Sequence, residues 1–461
     1  MIQRLIWERR FPNWNCFKSP SKRKIQMSKN RLILLAGFLF LSLFPLPGLP
    51  LPQSSAQTQQ HLSPSQALLR TWRYHPTLRQ LRREYRQAQA RRLQVGLLPN
   101  PELGLTAEDF AGSAAWTNDR FTQFTIEWVQ ILPLGDKLSE AKRLAELEPE
   151  LLKWQYRIQQ RHLAGDVYLN YSRLRYFLSR INLADELLVN ARETLALIEI
   201  RVKAGKLAPF GALQARQQVL MLEAEVQEMA AQQRISGLEL SALWGEYQLK
   251  DMLDVSAYDT PQVLSGLTFY QQRLPQHPQV ARWQLESQIR QATLTTAQAQ
   301  TTPDLTASGG LRYHPPGDWG MTASISLPLA MFNRNQGQIE EARLRQNSLA
   351  AEREQELATL NAELTRAYEV YTSAYQRWQL YQKQLQLSQE GFRIALIAFE
   401  AGKTNYLDVL QSQQGYFTAR RNLIETQSVL EQALITVRVL TDDLEPVQDY
   451  SISEQEERTH E

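Results

Sequence analysis

The chain has 461 residues and a formal charge of +3 at pH 7, from 51 Lys and Arg against 48 Asp and Glu, but the excess of base is local. Residues 1–56 hold nine of the basic residues and one Glu, so the remainder carries 42 basic against 47 acidic side chains, which excludes the broad basic surface of a nucleic-acid binder. The single cysteine, Cys16, lies in that same stretch, so the rest of the chain has no thiol for a disulfide, a thiolate metal site or an acyl anchor.

At the N-terminus, Lys29 and Arg31 precede an apolar run from Leu32 to Phe44, and prolines and then Ser54-Ser55-Ala56 follow. This is the layout of a secretory signal, with cleavage expected after Ala56, and the apolar run is too short for a spanning helix. Met27 stands where a signal of ordinary length begins, so the sequence admits a start at Met1 or at Met27. An exported protein without a lipid anchor is expected.

The first half, 57–260, opens with a helical stretch, YHPTLRQLRREYRQAQ from Tyr74, that ends before Pro99 and Pro101. A hairpin is expected at about 103–131. One strand runs from Leu103 to Phe110; in the other, Phe124, Ile126 and Trp128 alternate with Gln123, Thr125 and Glu127, and AGSAAWTND joins them. After the exit ILPLGDK, only Pro149 and Gly165 disturb helix-forming composition from about Asp136 to Ala204. At 1.5 Å per residue such a helix is a rod of about 100 Å. Along it Leu174, Leu178, Ile181, Leu188, Ala191, Leu195, Ile198 and Val202 step by threes and fours with one skip at Asp185, a heptad seam. The rod breaks at Ala204-Gly205-Lys206-Leu207, and a returning helix follows.

The second half, 261–444, repeats this order. His277-Pro278 answers His75-Pro76, and PDLTAS at Pro303 answers PELGLT at Pro101, both displaced by 202 residues. A hairpin at about 305–329 pairs Leu305–Tyr313 with a strand in which Met321, Ala323, Ile325 and Leu327 alternate with Thr322, Ser324 and Ser326. A second rod keeps an unbroken seam through Tyr371, Ala374, Trp378, Tyr381, Leu385, Ser388, Phe392, Ala395 and Phe399, then turns at Ala401-Gly402-Lys403-Thr404, 197 residues after the first turn. An acidic tail, 445–461, closes the chain. Two half-wet hairpins of bilayer-crossing length suit a barrel with a lipid-facing and a wet face. Four strands are too few to close one, since even a filled barrel needs about eight.

In this duplicated order the chain resembles the TolC family of outer-membrane efflux channels, from about Leu62 to Leu444. The resemblance implies a mainly α fold with a small β part, in which each protomer adds two β-hairpins to a long α-helical coiled-coil barrel. It implies further that a homotrimer closes a twelve-stranded barrel in outer-membrane lipid. It implies a passive exit duct in a tripartite efflux system, with a periplasmic adaptor protein and an inner-membrane pump as partners and no cofactor. The glycine turns, Gly205, Lys206 and Leu207 in the first half and Gly402, Lys403 and Thr404 in the second, become periplasmic tips where the adaptor docks. Some relatives carry acids six and nine residues beyond the second tip glycine; here Asp408 and Gln411 stand at those positions, and Gly211 stands at the first of them in the first half. Asp408 and Gln411 are therefore the candidate pore constriction. The junction Phe332-Asn333-Arg334-Asn335-Gln336-Gly337 is similar to that of the branch serving heavy-metal exporters. This makes metal cations the leading substrate, with drug or organic-solute efflux and type I secretion as alternatives. A periplasmic adaptor also has a long helical hairpin, but it lacks two barrel-like hairpins and a whole-chain duplication.

Nothing in the sequence points to catalysis. The histidines His61, His75, His162, His277, His314 and His460 are dispersed without metal-ligand spacing, and no nucleotide-binding or nucleophile-elbow motif occurs. A channel that is not an enzyme is expected.

Overall fold

The computed structural model describes residues 61–109, 122–249, 260–315 and 317–441, together with 252, 253, 258, 443 and 452. The leader, the loop AGSAAWTND and, apart from Ile452, the C-terminal tail lie outside the described residues.

In chain order, β1 (His61–Leu62) is followed by α1 (Pro64–Tyr74), α2 (Pro76–Val95), β2 (Glu102–Glu108), β3 (Gln123–Leu132), α3 (Lys137–Lys203), α4 (Pro209–Ala242) and β4 (Met252–Leu253). The second half has α5 (Leu267–Gln271), α6 (Pro278–Ala281), α7 (Trp283–Ala299), β5 (Leu305–His314), β6 (Asp318–Ser326), α8 (Gln336–Glu400) and α9 (Tyr406–Leu440). The chain is thus mainly helical.

Local chemistry sets the helix starts, and it is duplicated. His75 and His277 are both N-caps ahead of a proline, each with its Nδ1 accepting the backbone N–H two residues on, from Thr77 at 3.2 Å and from Gln279 at 3.4 Å. The ring nitrogen takes up a donor that the first turn leaves orphaned, and proline at the first helical position has no N–H to satisfy. Both long helices start from a left-handed N-cap, Asp136 at φ 60° and Asn335 at φ 56°. Asp and Asn are the non-glycine residues that tolerate this region best. The duplication reaches the core. Tyr171 donates its hydroxyl to the Leu62 carbonyl, and Tyr371 donates to the Gln262 carbonyl, each pair 109 residues apart.

α3 runs unbroken for 67 residues through Pro149 and Gly165. Gly165 faces Val439 on α9, and a Cβ there would meet its side chain at 3.4 Å, about van der Waals contact. The seam on α8 faces α9, with Tyr371, Ala374 and Trp378 buried. On α3 the single seam expected from sequence is incomplete. Leu183, Ala184 and Leu187 are buried as well, because α3 packs against α4 on one side and α9 on the other. A helix between two partners needs two apolar stripes.

The two hairpins merge into one antiparallel sheet of order β2-β3-β5-β6. The join is β3 against β5, running from Phe124 opposite Tyr313 to Leu132 opposite Leu305. Glycine makes it possible, since a Cβ on Gly310 would lie 2.5 Å from the Ile126 carbonyl oxygen. β2 and β6 are the edges.

Candidate functional site

The register sorts the sheet into two faces. Leu103 and Leu105 on β2 stand opposite Trp128 and Ile126 on β3, Ile126 opposite Leu311 on β5, and Leu311 opposite Met321 on β6. This row is apolar and open, with Leu103 74% and Met321 88% exposed. On the other face Thr106 stands opposite Thr125, Thr125 opposite Arg312, and Ser308 opposite Ser324 with their hydroxyls 2.9 Å apart. Arg312 donates to Thr125 at 3.1 Å and approaches the Glu108 carboxylate at 3.9 Å. Several polar groups on this face bond one another, while large apolar side chains on the other stand open among the described residues.

The helical hairpins turn at the two glycine breaks with the same geometry. Gly205 and Gly402 both have φ 70°. The N–H of Lys206 bonds the Arg201 carbonyl at 2.9 Å and that of Lys403 bonds the Ala398 carbonyl at 2.8 Å, the six-to-one bond of a Schellman turn. Nothing lies within 4 Å of a Cβ built on either glycine, so backbone conformation and not space selects glycine there.

The structure brings the two turns together. Tyr406, at the start of α9, is buried against Ile198 and Ala215 of the first hairpin, with Leu207, Phe399 and Leu410 packed around them. Burial pushes the Tyr406 hydroxyl up from its ordinary pKa. The Arg201 guanidinium lies 4.2 Å from the Phe399 ring centre, a cation–π contact between the ends of α3 and α8. Lys206 and Lys403 are exposed beside this cluster.

The two turns differ in how the returning helix begins. Ala208 caps α4 without a side-chain hydrogen bond, and Gly211 follows three residues later. Asn405 caps α9 in a reciprocal box, its side chain accepting the Asp408 N–H at 3.0 Å while Asp408 Oδ2 accepts the Asn405 N–H at 3.4 Å. The Thr404 hydroxyl also donates to Asp408. Asp408 is thus a helix-start residue whose carboxylate is already hydrogen-bonded, and Gln411 is exposed one turn further on. The sequence contained this signal as Asn-x-x-Asp after a turn. The contribution of Tyr406 and Ile198 depends on contact between hairpins and had no local signature.

An open groove of about 570 Å³ lies between α3, α7, α8 and α9. Several charged residues on its walls are paired, Arg282 with Glu356 at 3.7 Å and Glu352 with Arg290 at 2.5 Å. Among the described residues no three His, Cys, Asp or Glu side chains gather as a metal site, and no helix is long and apolar enough to cross a membrane.

A sheet that is apolar on one face and polar on the other, joined to long helical hairpins in a duplicated order, defines a membrane duct. The chain belongs to the outer membrane efflux protein family, whose model matches residues 64–246 and 269–441. It is 28% identical over 351 residues to the cobalt-zinc-cadmium resistance protein CzcC of Cupriavidus metallidurans, covering 75% of this chain and 81% of that one. It is 21% identical over 274 residues to the cation efflux system protein CusC of Escherichia coli, covering 57% of this chain and 60% of the other. In fold it is similar to the crystal structure of CusC, with a TM-score of 0.67 at 17% identity over 86% of this chain and 98% of that one. The outer-membrane channel OprN gives 0.68 at 18% identity over 82% and 90%. The protein is an outer-membrane efflux channel with a helical extension into the periplasm.

Proposed function

We propose that the chain is the exit duct of a tripartite efflux system and that it works as a homotrimer. The observation that carries the trimer is the four-stranded sheet with its open apolar face and two unpaired edges. Backbone groups on an open strand edge have no hydrogen-bond partner in hydrocarbon, so a sheet of this kind closes on further strands. Three copies supply twelve. In the protomer β2 and β6 run in opposite directions, so pairing β6 of one copy with β2 of the next keeps the ring antiparallel throughout.

The tips built on Gly205, Lys206 and Leu207 and on Gly402, Lys403 and Thr404 dock the periplasmic adaptor, and an inner-membrane pump supplies the energy. Asp408 has two roles in this reading: it caps α9, and in a trimer it brings one carboxylate per protomer to the second tip, where with Gln411 it narrows the pore. The likeness to the cobalt-zinc-cadmium and cation efflux proteins supports divalent metal cations as the cargo. A periplasmic adaptor function leaves the exposed apolar sheet face without a purpose.

Purification from outer membranes in detergent should give a heat-sensitive trimer that conducts in planar bilayers; a non-conducting monomer would sink the channel reading. Asp408→Asn keeps a hydrogen-bond acceptor and removes the charge, whereas Asp408→Ala removes both. Loss of cation preference in both variants supports the constriction. Unchanged conductance in both discards it.

A further inference from the structure

The extensive contacts between the two repeats within a protomer share one direction, while smaller ones join α4 to α9 and the ends of α3 and α8. The outgoing elements of the first repeat, β3 and α3, meet the incoming elements of the second, as β3 on β5, α3 on α7 and α3 on α9. Each contact has an unfilled counterpart. The outgoing elements of the second repeat are β6 and α8, and the incoming elements of the first are β2, α2 and α4. The difference shows in burial: Thr295 on α7 is partly buried and donates to Glu140 of α3 at 2.8 Å, while its repeat equivalent on α2, Leu93, is 76% exposed.

Chemistry at the junction between sheet and helices also differs between the repeats. Within the protomer this seam is polar. Lys137, just past the end of β3, pairs with Asp304, just before β5, at 2.6 Å, and Thr302 fills the space beside Gly135. The second exit is four residues longer, PLAMFNRN against PLGD, and the added stretch contains Met331 and Phe332, with Phe332 89% exposed. Leu329, Met331 and Phe332 follow the free edge β6, and the exposed Leu93, Leu97 and Leu98 precede the free edge β2. Both groups lie at the same end of the sheet, because β6 ends where β2 begins.

Resting on the trimer reading above, we infer that these six side chains form an apolar seam between copies, Leu329, Met331 and Phe332 of one protomer seating against Leu93, Leu97 and Leu98 of the next. Charge supports the same neighbour. α2 carries six arginines against one glutamate, while residues 336–363 at the start of α8 carry six glutamates against three arginines. Part of this charge is matched within the protomer, Arg91 and Arg92 by Glu148 and Glu146, and Glu352 and Glu356 by Arg290 and Arg282; the opposite charges that remain favour a second copy over another basic surface. An apolar seam between copies and a polar one within them also fixes register, since exchanging one junction for the other would leave Lys137 and Asp304 unpaired in an apolar contact.

The test uses the full chain, expressed to the outer membrane in a Cys16→Ser background. Leu98→Cys with Phe332→Cys is expected to give disulfide-linked dimers and trimers on oxidation, and each single variant none. In cysteine-free chains, Phe332→Ser is expected to lower the temperature at which the trimer dissociates by several degrees, and Phe332→Leu to restore most of the loss. A chain that remains trimeric but neither cross-links nor loses thermal stability would overturn the seam and leave the trimer standing. A spin label at position 332 that is relaxed by a lipid-soluble quencher in the intact trimer would overturn it in favour of the bilayer. A monomeric parent protein would overturn both readings.

Discussion

Gly310 shows what a single methyl group decides in this fold. Its neighbours are backbone atoms, the Ile126 carbonyl oxygen at 2.5 Å and the Glu127 Cα at 3.0 Å from a built Cβ, and neither is free to move while β3 and β5 stay paired. Gly310→Ala is expected to cost about 2–3 kcal/mol and to show as loss of folded protein in the membrane fraction. Gly309 lies beside it, but there a Cβ would meet the Thr322 carbonyl oxygen at 3.9 Å, an ordinary contact, so Gly309→Ala should be close to neutral. The tip glycines fail for a different reason. Gly205→Ala and Gly402→Ala have room but must hold φ near 70°, at a cost of about 1 kcal/mol each, read as faster amide exchange in the last turn of α3 or α8. The tip glycines were legible in the sequence because a conformational break leaves a local mark. Gly310 was not, since only the pairing of strands almost two hundred residues apart crowds it.

Among the helices, legibility followed the number of partners. The seam on α8 reads as one unbroken stripe because α9 covers it along most of its length, whereas α3 meets α4 and α9 and its second stripe of Leu183, Ala184 and Leu187 blurs the heptad. The ion pairs between hairpins also escaped the sequence, where Arg and Glu on long helices look like solvated surface. Glu225 on α4 bonds Arg180 of α3 at 2.7 Å and Arg421 of α9 at 2.9 Å, with the Arg180 side chain only 10% exposed. One carboxylate therefore ties three helices. Glu225→Gln would leave two cations facing each other with no counter-charge, at a cost of about 3 kcal/mol, and chemical denaturation in detergent should register it. The clamp between α7 and α8 is expected to survive acid. The Arg290 guanidinium, with help from the Ser348 hydroxyl, holds the Glu352 carboxyl down to about 2 from its ordinary 4.5. A depressed carboxyl contributes stability that is complete above its unfolded value and is lost as pH falls through the folded one. At pH 3.5 the wild-type α7 should therefore stay protected from amide exchange, while Glu352→Gln should expose it at pH 3.5 and at pH 7 alike.

At the scale of the whole channel the decisive property is the assignment of the two sheet faces, because it determines what the proposed trimeric ring would touch. Alternation along β6 was plain in the sequence and along β3 nearly so; the register then aligned the apolar positions of all four strands into one surface. Ile325 belongs to that surface and is 76% exposed, and Ser324, its chain neighbour, bonds Ser308 on the opposite face. Adjacent residues of one strand should thus respond to the same substitution in different ways. Ile325→Arg puts a cation into the lipid-facing row one residue from the end of β6, where the cost falls to about 1 kcal/mol, so the amount of heat-sensitive trimer in the outer membrane should fall modestly. Ser324→Arg puts the same charge into a wet lumen. It should leave the amount of trimer unchanged and reduce single-channel conductance and cation preference, since three arginines per ring raise the local potential against cations. If both variants assemble poorly, or if Ile325→Arg alone changes conductance, the faces are assigned the wrong way round, and with them the account of how this chain carries cargo through the membrane.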